Sequence, residues 1–325
     1  MKEFFKKNIL ITGGTGTFGK AFIHYLNNLK YKPSKICIYA RDEHKFHDLE
    51  NSNLFKKNVR LFIGDVRDQK RLELATSGMD IVVHAAALKH VPFAEYNPME
   101  TISTNILGSN NLINACTKNK VKKCILVSTD KAVNPIHLYG STKLCAEKIF
   151  IASNNITAGK TKFAVVRYGN VLGSRGSLIE KLKSSKKNNQ KSFNLTHKDM
   201  TRFWITIEEA VNFVGQSINK MEGGEIFIPK MKSMKIINCI KVFLPKAKIN
   251  NIGIRPGEKI HETLIHQETK NVFDCGKYYT ILPEFKFWTQ KKYKLRGKKT
   301  KDKFEYSSNT NKFWIKDNQL ERTVL

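Results

Sequence analysis

The chain has 325 residues, 57 Lys and Arg against 28 Asp and Glu, a net charge of +29 and an apolar fraction of 41%. That length holds two domains, or one large α/β unit with an appended lobe; the apolar fraction supports a packed core, and with no apolar run of about 18 residues no membrane span is expected. The N-terminal Met1-Lys2-Glu3-Phe4-Phe5-Lys6-Lys7 offers no leader-like apolar run, and the lysine excess is spread over linkers and helices without a binding motif, which argues against a nucleic-acid partner while leaving a field that draws in anionic small substrates.

The first predicted strand, Asn8–Thr12, runs directly into a glycine-rich turn and a helix over Phe18–Leu29. Gly13, Gly16 and Gly19 have the spacing G-x-x-G-x-x-G. That spacing permits a tight turn, close approach of the backbone to a pyrophosphate, and close helix–strand packing. The helix start near Thr17 turns its N–H groups toward the phosphates. The second strand, Lys35–Tyr39, ends at Ala40-Arg41-Asp42. An acid such as Asp42 suits the ribose hydroxyl of NAD, and an Arg suits the 2′-phosphate of NADP; with Arg41 first, the reading is NADP ahead of NAD. His44 and His47 follow on a predicted helix, too few ligands for a zinc site, and no metal is expected.

Val59–Ile63 is the third strand and leads into Gly64-Asp65-Val66-Arg67-Asp68. Asp80–His84, the fourth, opens into Ala85-Ala86-Ala87-Leu88-Lys89-His90. Those alanines leave room for a cofactor, and Lys89 and His90 sit at the carboxyl edge where such sheets bind ligands. An amphipathic stretch, Met99–Asn119, precedes the fifth strand, Lys123–Ser128, and the sixth is Lys162–Tyr168. This alternation predicts an α/β fold, a Rossmann-type doubly wound parallel sheet with a smaller C-terminal substrate-binding lobe. The expected division is residues 1–168, binding NADP and carrying the catalytic groups, and 169–325, a lobe partly interwoven with the first. After residue 168 the signals are a helix over Ile205–Lys220, a strand over Glu225–Pro229 and a helix over Met234–Leu244, while the tail from Lys286 has no clear period. Phe203 and Trp204 read as core. The six cysteines form no C-x-x-C pair and read as reduced core residues of a cytoplasmic protein.

The fifth strand ends in Ser128-Thr129-Asp130-Lys131, with Tyr139 and Lys143 beyond it at Y-x-x-x-K spacing. On a helix this spacing shares one face. An ammonium beside a phenol favours the phenolate, so Tyr139 can take a proton from an alcohol while hydride leaves its carbon for a nicotinamide. Glycine turn, five βα units and this pair together resemble the extended branch of the short-chain dehydrogenase/reductase superfamily, over about residues 8 to 265. Alcohol oxidation needs only Ser or Thr, Tyr and Lys. Asp130 and Lys131 are additional: either a surface salt pair or an elimination apparatus. Oxidation of a hexose at C4 makes the C5 proton acidic. A neutral Lys131 can remove it, a protonated Asp130 can donate to the departing C6 hydroxyl, and hydride returned to C6 recycles the cofactor.

The resemblance narrows with Ser128–Ala132, "RYGNVLGSRGS" (167–177), "MTRFWIT" (200–206), "GGEIF" (223–227), "SMK" (233–235), "IGIRPGEK" (252–259) with His261-Glu262, and "FEYSS" (304–308). Over nearly the whole chain these are similar to the inverting UDP-N-acetylglucosamine 4,6-dehydratases. The resemblance implies UDP-N-acetylglucosamine as substrate, inversion at C5, UDP-2-acetamido-2,6-dideoxy-β-L-arabino-hex-4-ulose as product, and the first step of pseudaminic acid biosynthesis. It also implies bound, recycled NADP and a homo-oligomer built from dimers, up to a hexamer. Thr129 would contact the C4 oxygen, Asp130 would be the acid, Lys131 the base, and Tyr139 with Lys143 would run the hydride step. Cofactor contacts would extend to Thr15, Thr17, Phe18, Ala40, Glu43, Lys45, Asp65 (on the adenine), Val66, Ala85, Ala86, Lys89 and Asn105.

Substrate contacts would include Lys89, Thr129, Val171, Thr196 and Met200. Asn170, Arg175 and Ser177 lie where a strand turns into a helix, a good diphosphate position. Arg202 and Arg255 offer further guanidiniums, and Glu258 could take ribose hydroxyls; taken singly, each reads equally as a surface ion pair. Membrane-anchored retaining relatives carry Met in place of Tyr139, and other 4,6-dehydratases carry Glu in place of Lys131. Ala40 departs from the Ser usual beside Arg41, which removes one hydrogen bond to a 2′-phosphate. Three other readings are a nucleotide-sugar 4-epimerase, with no use for Asp130 and Lys131, a retaining 4,6-dehydratase, and a non-enzymic NADP-binding sensor or scaffold.

Overall fold

A computed structural model describes residues 2–174, 176–289, 293–294, 297–316 and 320. Six strands form its centre: β1 (Asn8–Thr12), β2 (Lys35–Ala40), β3 (Val59–Ile63), β4 (Ile81–His84), β5 (Lys123–Thr129) and β6 (Lys162–Tyr168). All pair in parallel, in the order β3-β2-β1-β4-β5-β6. Their near-continuous Ile/Val/Leu runs suit burial on both faces: Ile9, Leu10, Ile11, Val82, Val83, Ile125 and Leu126 are fully buried. The covering helices are α1 (Thr17–Asn27), α2 (Glu43–Glu50), α3 (Gln69–Thr76), α4 (Val91–Tyr96), α5 (Pro98–Ile102), α6 (Gly108–Lys118) and α7 (Leu138–Ile156). Strand order reverses between β1 and β4, and that reversal opens the crevice in which doubly wound sheets bind ligands.

Two expectations change here. The single helix expected over Met99–Asn119 is α5, a π-helical turn at Ser103–Leu107, and α6; hydrophobic periodicity does not register one wide turn within a helix. The aperiodic tail also contributes to the sheets.

The second half contributes β7 (Asn170–Val171), α8 (Leu178–Lys187), β8 (Ser192–Leu195), β9 (Thr201–Ile205), α9 (Ile207–Lys220), β10 (Ile226–Pro229), β11 (Lys232–Lys235), α10 (Ile236–Phe243), β12 (Lys248–Asn251), β13 (Thr263–Ile265), β14 (Val272–Asp274), β15 (Tyr278–Ile281), β16 (Lys298–Lys299) and β17 (Tyr306–Ser307). β10 adds in parallel to β6, and β15, β14 and β16 extend the sheet antiparallel to ten strands. Ile226, Phe227, Leu264, Ile281 and Tyr306 therefore share the main core with β1 and β4. A second apolar cluster joins α8, α10 and β9 through Ile179, Leu182, Trp204, Met234, Ile240 and Phe243. Phe203 and Trp204 are both buried. Helix α9 starts with a capping box: Glu209 N–H donates to Thr206 Oγ1 (3.1 Å), and Thr206 N–H donates to Glu209 Oε2 (2.9 Å). Of the cysteines, Cys37, Cys116, Cys124 and Cys239 are buried, but Cys145 is exposed and Cys275 half-buried, so the core assignment fails for those two. No helix among the described residues is long and apolar enough to cross a membrane.

Candidate active site

A cavity of about 700 Å³ opens at the switch point and runs from the glycine turn to α9. Its dinucleotide end depends on missing side chains. Gly13 has φ +68°, and a Cβ there would lie 2.8 Å from the Ala86 nitrogen; a Cβ on Gly19 would lie 2.3 Å from Gly14 Cα. Gly16 precedes α1 without a side-chain cap, so the first N–H groups of that helix face the cavity. The wall here is made by Gly13, Thr15, Gly16, Thr17, Phe18, Ala40, Arg41, Asp42, Lys45, Val66, Ala85, Ala86 and Lys89. A cradle that a Cβ would fill, joined to a helix N-terminus, fits the pyrophosphate of a dinucleotide.

Four expected cofactor contacts lie outside this lining. Gly19 sits behind it, packing α1 onto the turn. Glu43 belongs to the first turn of α2. Asp65 is turned to protein partners: its carboxylate accepts from Arg67 Nη2 (2.8 Å), Arg67 N–H (2.9 Å) and Arg41 Nη1 (3.3 Å). Burial opposes the charge of Asp65, but Arg67 and Arg41 hold its carboxyl below the usual range. Asp65 thus anchors Arg41, the candidate phosphate ligand. Asn105 is 2% exposed and bonds to protein on both sides: Leu88 N–H donates to its Oδ1 (2.9 Å), and its Nδ2 donates to Leu88 O (2.9 Å) and Thr142 Oγ1 (3.0 Å). It joins the alanine loop to α7 and so fixes the helix that carries Tyr139 and Lys143.

The expected catalytic row forms where β5 ends. Thr129, Lys131, Tyr139 and Lys143 line the cavity; Asp130, in the 3₁₀ turn Asp130–Ala132, is fully buried beneath it. Thr129 Oγ1 donates to Asp130 Oδ1 (2.9 Å), and Lys131 Nζ donates to the same oxygen (3.1 Å) and to Asn170 Oδ1 (3.5 Å). Asp130 Oδ2 is buried with no hydrogen-bond partner. Burial raises the Asp130 pKa; Lys131 opposes this and Glu262 adds to it. Burial thus makes the Asp130 carboxylate a readier proton acceptor than an exposed one.

Lys131 behaves otherwise than expected. Burial alone would lower its pKa, but Asp130 and Glu262 outweigh burial and raise it, so the resting amine is an ammonium. Glu262 was not singled out as a site residue; its Oε1 lies 3.6 Å from Lys131 Nζ. Burial pushes Tyr139 up to about 12, with Lys131 and a hydrogen bond with Thr129 pulling down and Asp130 pushing up. The cation that most favours the phenolate is thus Lys131.

Lys143 donates to Val127 O (2.9 Å), and burial lowers its pKa to about 8 against the pull of Glu147. One helical turn further along α7, Glu147 is 1% exposed. It accepts from Ser128 Oγ (2.5 Å), Arg167 Nε (3.0 Å) and Arg167 Nη2 (2.5 Å), while Arg167 Nη1 donates to Leu264 O (2.8 Å). His84 is buried between Thr12 Oγ1 (2.7 Å) and Ser109 Oγ (3.0 Å), and burial with the Lys143 charge lowers it to about 3, leaving it neutral.

Of the expected substrate contacts, Lys89, Thr129, Asn170, Val171 and Ser177 line the cavity. Arg175 lies outside the described residues. Thr196 and Met200 are buried away from the lining; Met200 belongs to the second apolar cluster, and the Thr196 hydroxyl meets its sulfur at 3.6 Å. Arg202 is 8% exposed, and its Nη atoms donate to Thr201 O, Ile260 O and Lys259 O at 2.7–3.0 Å. Backbone carbonyls take three of its N–H groups, its Nε faces Glu262 at 3.7 Å, and it lies outside the cavity lining. Arg255 and Glu258 lie outside the lining and pair with each other at 3.6 Å; Gly257 between them packs beside His137, the N-cap of α7. Lining residues that the sequence did not single out include Thr104, whose buried Oγ1 has no partner, and Tyr168.

The chain is similar to several known proteins. The family model described as polysaccharide biosynthesis protein matches residues 9–283. A Campylobacter jejuni protein named UDP-N-acetylglucosamine 4,6-dehydratase (inverting) is 50% identical over 323 residues, covering 97% of this chain and 96% of its own. A Rickettsia bellii protein named UDP-glucose 4-epimerase is 41% identical over 304 residues, covering 91% of this chain and 89% of its own. The X-ray structure of Pen from Bacillus thuringiensis superposes with a TM-score of 0.87 at 34% identity, covering 98% of this chain and 97% of its own.

Proposed function

Since the chain belongs to the polysaccharide-biosynthesis family, and within it to the inverting UDP-N-acetylglucosamine 4,6-dehydratases, we propose that it dehydrates UDP-N-acetylglucosamine with inversion at C5. The product is UDP-2-acetamido-2,6-dideoxy-β-L-arabino-hex-4-ulose, the reaction is that of a hydro-lyase with recycled NADP, and the pathway served is pseudaminic acid biosynthesis. One observation carries the reading: an amine and a phenol line one cavity wall, and a carboxyl with an unpaired oxygen is buried beneath it, 3.1 Å from the amine. An epimerase has no use for the carboxyl and the amine.

A nicotinamide dinucleotide held by Gly13, Gly16 and Arg41 would supply a hydride acceptor for C4 and a hydride donor for C6. The rest is proton traffic on this chain's own groups. The phenolate form of Tyr139, which the Lys131 charge favours, takes the C4 hydroxyl proton, with Thr129 bonded to the same oxygen. Passage of one proton along the 3.1 Å Lys131–Asp130 hydrogen bond converts the resting ion pair into a neutral amine and a neutral acid. A sugar ring that excludes water favours this neutral pair, because desolvation penalises charge. Lys131 then takes the C5 proton, and Asp130 gives its proton to the departing C6 hydroxyl, which leaves as water. Arg41, held by Asp65, supports NADP over NAD. Homo-oligomer formation is supported by Phe93, Tyr96, Met99 and Leu107, large apolar side chains exposed along α4, α5 and the π turn.

A proton NMR time course with UDP-N-acetylglucosamine in heavy water tests the proposal. It predicts loss of the C6 hydroxyl, deuterium at C5, an inverted ring and no net cofactor consumption. Stoichiometric accumulation of reduced cofactor, or retention of the C6 oxygen, overturns it. The second reading, a nucleotide-sugar 4-epimerase, is favoured by the name of the Rickettsia relative; it predicts C4 inversion with no C5 exchange.

A further inference from the structure

Glu262 has no role in the steps above, yet it is the third member of the buried charge cluster. It is 3% exposed, and its Oε1 lies 3.6 Å from Lys131 Nζ and 3.7 Å from Arg202 Nε. Its Oε2 is buried with no hydrogen-bond partner. A buried carboxylate is costly unless paired, and here both cations are themselves immobilised. Arg202 is held by three backbone carbonyls, and Lys131 by Asp130 and Asn170.

The backbone of Glu262 is clamped from the far end of the chain. Its N–H donates to Ser308 Oγ (2.9 Å), and its carbonyl accepts from Ser308 N–H (2.8 Å) and Ser307 Oγ (3.4 Å). Ser308 Oγ also meets Thr201 Oγ1 at 2.7 Å, and β17 pairs with β13 directly after Glu262. The tail segment Tyr306–Ser308 therefore determines where this carboxylate stands.

We infer that Glu262 is a positioning residue for the elimination step: it holds the Lys131 amine toward C5 and stabilises the ammonium formed there. The inference rests on the dehydratase reading. In that step the C5–H bond breaks and its proton passes to Lys131 Nζ. The freed electron pair becomes the C5–C6 double bond as the C6–O bond breaks, and the Asp130 proton leaves on the water. A fixed anion beside Nζ gains interaction as the amine becomes ammonium, so it favours the transition state over the ground state. The other groups facing Nζ are Asp130 and Thr129 from its own turn, Asn170 from β7, Tyr139 and His137 from the start of α7, and Lys259 and Arg202 from the segments flanking Glu262. Among these, Asp130 and Glu262 supply the negative charge.

The test uses the full-length, NADP-loaded protein with Glu262→Gln and two readouts: reduced-nicotinamide absorbance on mixing with UDP-N-acetylglucosamine, which reports C4 oxidation, and C5 deuterium exchange from heavy water. The expected result is C5 exchange slowed by about 10²-fold with C4 oxidation unchanged, the acid limb of the elimination pH profile moved to lower pH, and partial rescue in Glu262→Asp, which keeps the charge. Unaltered exchange and pH profile, or equal slowing of both partial reactions, overturns the inference. If Glu262→Gln does not fold, Ser308→Ala retains the carboxylate and loosens its clamp. It should slow C5 exchange selectively and to a smaller extent, and an unselective effect or none overturns the inference equally. A wild-type protein that never exchanges C5 overturns the dehydratase reading and this inference with it; a normal wild type with an unaffected Glu262→Gln overturns this inference alone.

Discussion

Replacing Glu147 by Ala should damage stability and oxidation together. The carboxylate is 1% exposed and receives three hydrogen bonds, two from Arg167 and one from Ser128. Its removal leaves a guanidinium that is 6% exposed with a single remaining acceptor, Leu264 O. Breaking a buried pair from one side costs about 3–5 kcal/mol, a large part of the roughly 5–15 kcal/mol by which native proteins are stable. The urea midpoint of the cofactor-free protein should fall accordingly. Glu147→Met combined with Arg167→Met should recover most of the loss, because no charge is then stranded.

The same substitution removes the one charge that pulls the Lys143 pKa upward against burial. Lys143, already lowered to about 8, should lose its proton at lower pH, and the alkaline limb of C4 oxidation should move down with it. A Glu147→Ala protein within about 1 kcal/mol of wild type, the range of exposed pairs, and with an unmoved alkaline limb would refute this reasoning.

Lys131→Ala should abolish C5 exchange and water loss, by about 10²- to 10⁴-fold, while still reducing its cofactor transiently on mixing with UDP-N-acetylglucosamine; stopped-flow absorbance checks this, and undiminished elimination contradicts it. Gly13→Ala forces a Cβ to within 2.8 Å of Ala86 N at a φ of +68°, so about 1–3 kcal/mol of strain is expected, seen as a lower Tm and a weaker rise of Tm on adding NADP. Glu225 is 2% exposed, and burial raises its pKa from 4.5 to about 7. An acid whose pKa is raised by folding binds more protons in the native state, so its contribution is present below pH 4.5 and is lost as pH rises to about 7, amounting to about 3 kcal/mol. Urea midpoints across that interval should fall in wild type and stay flatter in Glu225→Gln.

Much of the site was legible in the chain. Gly13, Gly16 and Gly19 announce a phosphate turn because only certain backbones bend that way, and Tyr139 and Lys143 share a face by helical spacing alone. The parallel strands declare themselves through unbroken apolar runs, since both faces must be covered. These are local properties, carried by fewer than about 20 consecutive residues.

Other features arise from contacts between distant segments. Asp65 and Arg202 have the residue types of ligand contacts, but Arg67 takes the first and backbone carbonyls the second. The tail from Lys286 has no period, yet its β16 and β17 pair with β14 and β13. Glu262 has no signal of its own beyond a place in a family motif, because its part depends on Lys131, Arg202 and Ser308 meeting around it.

The sequence by itself determined the chemistry on offer: a dinucleotide turn, an oxidising Tyr–Lys pair and an acid–amine row at a strand end. Only the tertiary structure decided the charge each group carries. Burial raises the Asp130 pKa, the neighbouring carboxylates keep Lys131 an ammonium at rest, and burial lowers Lys143. The physical reason is that desolvation and Coulomb terms depend on distances across the fold, which no spacing along the chain contains.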